Sequence, residues 1–433
     1  MEAMADPVVV ATGHTYDRAC IERWLAAGHR TCPVTGARLR HTELTPNFAL
    51  REAAALWAAA AGVSLPAPAA GGRTAAAVVF KGGVAGDAAT EAAGDDDDDH
   101  PPPPPPSVLR GHDEIVWAVE VSPDGRRLFS ASADRSVRVW DAASRRCEAV
   151  LDDHARPVLC LATWGDTLFS GSYDSTIKAW SLTTLARART LAGHTDAVRA
   201  LLVVGDRLWS ASYDGSVRVW ECGSGAPLAT LTGHGGPVRA LAAAGGKVFS
   251  GSYDRTVRAW CATTLTPAGV LAGHGAAVRA LAAVGDRVFS GSDDATVRAW
   301  CARTGRCIAT LTGHTDNVRV LAAAGGRLFS GSWDRTVRAW SLATLTCDAV
   351  LRGHGEAVLA LAVGDTVLAS GSYDASVRMW SLATLARARV CAGHDDAVRV
   401  LAAGGGRVFS GSYDGSVGVW DEEGGEEGEE EGG

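Results

Sequence analysis

Residues 234 to 260 read HGGPVRALAAAGGKVFSGSYDRTVRAW, and this stretch decides the fold. It sets His234 ahead of Ser250, places Asp254 four residues after that Ser, and closes on Trp260 six residues later. The same four residues recur as His112/Ser130/Asp134/Trp140, His154/Ser170/Asp174/Trp180 and His194/Ser210/Asp214/Trp220. They continue as His274/Ser290/Asp294/Trp300, His314/Ser330/Asp334/Trp340, His354/Ser370/Asp374/Trp380 and His394/Ser410/Asp414/Trp420. The closing Trp falls every 40 residues without a slip. A fixed period of this length marks a stacked or radial repeat.

Inside the unit, three short runs alternate: Val238 to Ala242, Lys247 to Gly251 and Thr256 to Trp260. Gly or Asp-Xaa pairs separate them, which predicts antiparallel strands. A fourth run precedes each His, as in Ala229-Thr230-Leu231, and its first copy is Val108-Leu109. Nothing strand-like follows Trp420, so the N-terminal run is expected to supply the outer strand of the last unit. That joins the two ends and leaves no central edge exposed. A buried Asp needs a partner, and a chain Asp–His–Ser–Trp satisfies each polar atom in turn. Eight copies make these residues structural, because a catalytic site needs only one.

This pattern resembles the WD-repeat family, whose blades carry a Trp–Ser–His–Asp chain. The expected fold is mainly β: an eight-bladed propeller over 107–421, with a seven-bladed ring and a loose eighth unit as the alternative. A small α+β domain precedes it. The stretch Asp6 to Trp57 resembles a U-box, the zinc-free relative of the RING module in ubiquitin ligases. It does so through Asp6-Pro7-Val8-Val9, Gly13 to Arg18, Ile21, Trp24, Cys32-Pro33-Val34-Thr35, Leu39, Leu44 to Asn47, Leu50 and Trp57. Asp17 to Ala27 reads as a helix with Ile21, Trp24 and Leu25 on one face. Asn47 can cap a second helix carrying Leu50, Ala54 and Trp57. Residues 1–60 offer no Cys-x-x-Cys pair, so neither zinc nor any other cofactor is expected.

The U-box resemblance implies that a ubiquitin-conjugating enzyme docks on Trp24, Pro33 and Thr35. It also implies a Cys-Pro-Ile loop that would stand before Met1, so the module is expected to be a truncated U-box. Gly36 stands where some members carry a basic residue that steadies the thioester. The expected activity is that of a U-box ubiquitin transferase. A non-enzymatic scaffold with a degenerate U-box is the competing class.

Residues 61–106 read as an acidic and Pro-rich linker, and 422–433 as an acidic tail. The whole chain carries a net charge of −8, yet five acids lie in Asp95–Asp99 and eight in the tail from Asp421; without these thirteen the rest stands at +5. Ten scattered Cys do not form a disulfide framework, which points to a reducing compartment, cytoplasm or nucleus. No apolar run has membrane length. The acidic flanks disfavour nucleic acid.

Two positions per blade are expected at one mouth of the ring. Five residues after each His stand Trp117, Leu159, Arg199, Arg239, Arg279, Arg319, Leu359 and Arg399. Just before each Asp stand Ala133, Tyr173, Tyr213, Tyr253, Asp293, Trp333, Tyr373 and Tyr413. Arg forks match phosphate and carboxylate, and aromatics anchor binding surfaces. The set resembles F-box/WD-repeat substrate receptors and implies a client with an acidic or phosphorylated segment. Asp196, Asp316 and Asp396 are the acids expected to compete for these Arg, with none available in units four and five. A second basic series, Arg138, Lys178, Arg218, Arg258, Arg298, Arg338 and Arg378, is expected on the solvated outer surface.

Overall fold

A computed structural model describes residues 7–9, 15–17, 21–22, 25, 45–46 and 107–422. The chain divides into two units, Met1–Asp98 and Asp99–Gly433.

In the first unit, Pro7–Val9 pairs antiparallel with Thr15–Asp17 on one side and Thr45–Pro46 on the other. Ile21, Glu22 and Leu25 are helical. Ile21 is buried, Leu25 half-buried and Glu22 exposed, as one apolar helix face requires. Asp17 ends a strand, so the expected helix begins later than Asp17. The second expected helix lies outside the described residues, as do the linker and the acidic tail beyond Glu422.

The second unit is eight four-stranded antiparallel sheets. The fourth blade shows the plan: Val238–Ala244 innermost, then Lys247–Ser252, Val257–Cys261 and Pro267–Leu271. The eighth blade takes its outer strand from Ser107–Leu109, which pairs with Val417–Val419 and closes the ring as expected. The count is eight.

The core lies between neighbouring blades. Phe289, Val297 and Leu311 of the fifth blade pack on Val318, Leu328 and Trp340 of the sixth. The gap between the eighth and first blades is filled the same way by Leu109, Phe409, Val417, Val116, Leu128 and Trp140. Close approach sets one residue choice. A Cβ added at Gly291 would stand 2.7 Å from Val318 Cγ1 of the next blade, closer than packed carbons allow.

Clasps also cross from blade to blade. The residue opening the second strand reaches forward about one blade: Arg207 Nη1 donates to Ala262 O at 2.5 Å and Arg327 Nη1 to Leu382 O at 3.0 Å. Lys247 Nζ donates to Ala302 O and Arg303 O at 3.0 and 2.7 Å.

Candidate functional site

Every blade contains the expected four-residue chain. The His Nδ1 lies 2.7–3.1 Å from the Asp Oδ2. The His Nε2 lies 2.6–2.8 Å from the Ser Oγ. The Trp Nε1 donates to that same Oγ at 2.8–2.9 Å. A carboxylate only accepts, so Nδ1 carries the proton, and Nε2 accepts from the Ser hydroxyl. Burial works against the charge of each Asp. Hydrogen bonds from the His and from the Ser or Thr two residues on outweigh it and hold these carboxyls well below the usual range. With all lone pairs engaged, these residues brace the blade.

Sequence reading missed two further members of this network. The Ser or Thr two residues after each Asp donates to its Oδ1 at 2.6–2.7 Å. The second Ser of each Ser-Xaa-Ser, such as Ser252, donates to a carbonyl in the turn after the blade His, at 2.9–3.1 Å. Both were marked in the sequence by invariant spacing across the eight units.

The residue five after each His is a β-bulge. In the fourth blade Val238 pairs with Ser252 and Ala240 with Gly251, which leaves Arg239 unpaired. The same slip falls on Trp117, Leu159, Arg199, Arg279, Arg319, Leu359 and Arg399. A bulge re-aims its side chain, and all eight line one central cavity of about 380 Å³. Leu159 and Leu359 are buried there.

Two aromatic arcs accompany them. Tyr173, Tyr213 and Tyr253 follow one another with ring centroids 6.3 Å apart. Tyr373 and Tyr413 lie 5.9 Å apart, and Tyr413 meets Trp117 at 6.3 Å. Arg399 stacks over Trp117, with Cζ 5.2 Å from the ring. Trp333 is 42% exposed. Ala133 breaks the aromatic series in the first blade.

The five Arg are not equivalent. Arg279 is held by Asp293: Nε donates to both carboxylate oxygens at 2.8 Å, and Nη2 lies 2.6 Å from Oδ2. Its Cζ lies 4.4 Å above the Tyr253 ring, and Nη1 donates to the Tyr253 hydroxyl. This corrects the expectation that the fifth unit offers no acid. Asp196 and Asp316 instead accept from the backbone N–H that follows each of them. Arg239 and Arg319 have no hydrogen-bond or ion-pair partner among the described residues, and Arg319 Nε is buried. Burial, then the neighbouring Arg199, brings the Arg239 pKa down to about 10. Burial, then Arg239 and Arg399, lowers that of Arg319 well below its ordinary value. Burial opposes ionisation of Tyr253, but the surrounding Arg lower its pKa. The cavity mouth is thus crowded with positive charge that an anion would relieve.

The second basic series, expected on the solvated outer surface, is half-buried at its six Arg and buried at Lys178. Lys178 keeps 6% of its area, and Nε of Arg138, Arg218, Arg258, Arg298, Arg338 and Arg378 is buried. A Cβ on Gly233 would stand 2.7 Å from Arg258 Nη1, so the guanidinium packs on the glycine before the His. Arg138 and Arg338 stack over their blade Trp rings at 5.9 and 6.0 Å. Trp24, Pro33 and Thr35, the positions expected to dock a conjugating enzyme, lie outside the described residues. The eight described Cys are free, and among the described residues no helix is long and apolar enough to cross a membrane.

Comparison with known proteins bears on both units. The family model of the U-box domain matches residues 1–62. That of the WD domain, G-beta repeat, matches eight segments from 104–141 to 386–421. U-box domain-containing protein 12 of Oryza sativa subsp. japonica is 52% identical over 66 residues, 15% of this chain and 11% of that protein. The E3 ubiquitin-protein ligase SPL11 of the same organism is 48% identical over 66 residues, 15% of this chain and 10% of its own. The chain therefore spans about a tenth of the length of these relatives. The crystal structure of the computationally designed Ika8 protein is 32% identical with a TM-score of 0.68, covering 72% of this chain and 98% of that one.

Proposed function

Because this chain belongs to the WD-repeat family and carries a U-box domain at residues 1–62, we propose that it is a ubiquitin ligase whose propeller holds a protein client. The U-box would receive a charged conjugating enzyme on Trp24, Pro33 and Thr35. The cysteine of that enzyme performs the transfer, so this chain supplies no nucleophile and acts by positioning thioester and acceptor. Free cysteines in the propeller support a reducing compartment, cytoplasm or nucleus.

The observation that carries the client reading is Arg239 and Arg319, without a hydrogen-bond or ion-pair partner among the described residues, in a cationic mouth flanked by aromatic arcs. It favours a client segment bearing phosphate or carboxylate groups. Arg forks would take the oxygens and the aromatics the neighbouring side chains.

Discharge of ubiquitin from a charged conjugating enzyme onto free lysine tests the ligase reading, with Pro33→Ala as control. Acceleration by the wild-type chain that disappears in the control supports it. A rate equal to that of the conjugating enzyme alone overturns it and favours the scaffold, the reading that Gly36 supports. For the client face, an Arg239→Glu/Arg279→Glu chain that retained its clients in a cross-linking capture would refute the assignment.

A further inference from the structure

Ubiquitin reaches a protein through a lysine amine. The deprotonated ε-nitrogen attacks the thioester carbonyl, an isopeptide bond forms, and the carbon–sulfur bond breaks. The conjugating enzyme's thiolate leaves, and the proton lost by the amine passes to solvent. Arg cannot take this part, because its guanidinium stays protonated.

Of the 41 basic residues in the sequence, three are lysine: Lys81, Lys178 and Lys247. Lys81 lies outside the described residues. The two in the propeller are both engaged in packing or hydrogen bonds. Lys178 is 6% exposed, in the row where six other blades pack Arg against the preceding turn and the eighth has Gly418. Lys247 donates through Nζ to the carbonyls of Ala302 and Arg303 in the next blade. At the cavity mouth all five cations are Arg. An arginine-rich composition alone would leave the remaining lysines free on the surface, where long charged side chains ordinarily sit. Here Lys178 packs most of its length into the blade, and Lys247 spends its amine on two main-chain carbonyls.

We infer that the propeller is built to be a poor acceptor of ubiquitin, so that transfer goes to the bound client rather than to the domain that holds it. The inference rests on the ligase reading above. It adds that packing at Lys178 and hydrogen bonding at Lys247 slow both amines as acceptors, and that the Arg of the mouth cannot be replaced by Lys without cost to selectivity.

The test maps ubiquitin remnants on the full chain after incubation with activating enzyme, charged conjugating enzyme and ubiquitin. No remnant is expected on Lys178 or Lys247. Arg126→Lys and Arg110→Lys, at side chains 85% and 69% exposed, are each expected to gain a remnant at the substituted position. Remnants on Lys178 or Lys247 of the wild-type chain would overturn the inference. So would substituted positions that stay unmodified while free lysine is consumed, since reach and not acceptor supply would then protect the propeller.

A second arm does not depend on ligase activity. Acylation of the full chains with an N-hydroxysuccinimide ester should modify Lys178 and Lys247 roughly tenfold more slowly than the amine introduced at position 126. Equal rates would refute the protection outright. Slow acylation of both lysines without any discharge onto free lysine would leave the amines protected and remove the ligase reading instead.

Discussion

Arg407 of the eighth blade donates through Nη1 to the main-chain carbonyl of Ala142 in the first, at 2.8 Å, although 265 residues separate them. It is the ring-closing member of the clasps that Arg207, Lys247 and Arg327 make forward to their neighbours. Closure therefore rests on more than the three-residue strand Ser107–Leu109. Arg407→Met removes the donor to the part-buried carbonyl together with the exposed ion pair to Asp421 at 3.0 Å, a loss of about 1–2 kcal/mol. Urea unfolding of the variant should show that loss, with the slope against denaturant unchanged. A midpoint equal to wild type would show that the clasp adds nothing to closure.

Ser250→Ala leaves His234 Nε2 and Trp260 Nε1 without their shared partner inside the fourth blade. The expected cost is about 2–4 kcal/mol, from two stranded polar groups. Under the proposed ligase function, ubiquitin discharge per folded molecule should not change, because the chain of hydrogen bonds is structural. Calorimetry and the discharge assay, run on the same preparation, separate the two effects.

Asp293 sits on Arg279 as an acidic ligand would. Asp293→Asn frees that guanidinium and adds one positive charge to the mouth. Under the proposed client reading, a synthetic phosphopeptide should bind this variant roughly threefold to fivefold tighter than wild type, with a steeper loss of affinity on added salt. Titration calorimetry at two ionic strengths reads both. Weaker binding would mean that Asp293 itself contacts the ligand or holds Arg279 in its binding position.

The blade Asp carboxyls have pKa values depressed in the folded state. The folded chain thus binds fewer protons than the unfolded one, and stability rises with pH through this range. Their contribution is fully present above about pH 4, the unfolded value. It falls away as pH drops toward about 2, where Asp294 titrates. A thermal midpoint that is flat near neutral pH and drops steeply below about pH 4 is expected. Asp334→Asn should blunt that drop while lowering the neutral-pH midpoint.

The sequence by itself determined the eight units, their strands and the tetrads. These depend on spacing within one unit, and alternation, turn residues and the 40-residue period record that spacing directly. The outer strand at Val108-Leu109 was legible because every other unit showed what the last one lacked. The mouth positions were legible too, since each recurs at a fixed step from its His or Asp. Only the tertiary structure decided which of those Arg remain unpartnered. Arg279 meets Asp293 across 14 residues while Arg239 meets no acid among the described residues, and both stand at the same place in the repeat. Nor did any local pattern show that Arg258 packs on Gly233, or that Lys247 reaches Ala302. Such contacts form where one turn or blade lies against another. A side chain's partner there is set by distance in the folded ring, which neighbouring residues in the chain do not encode.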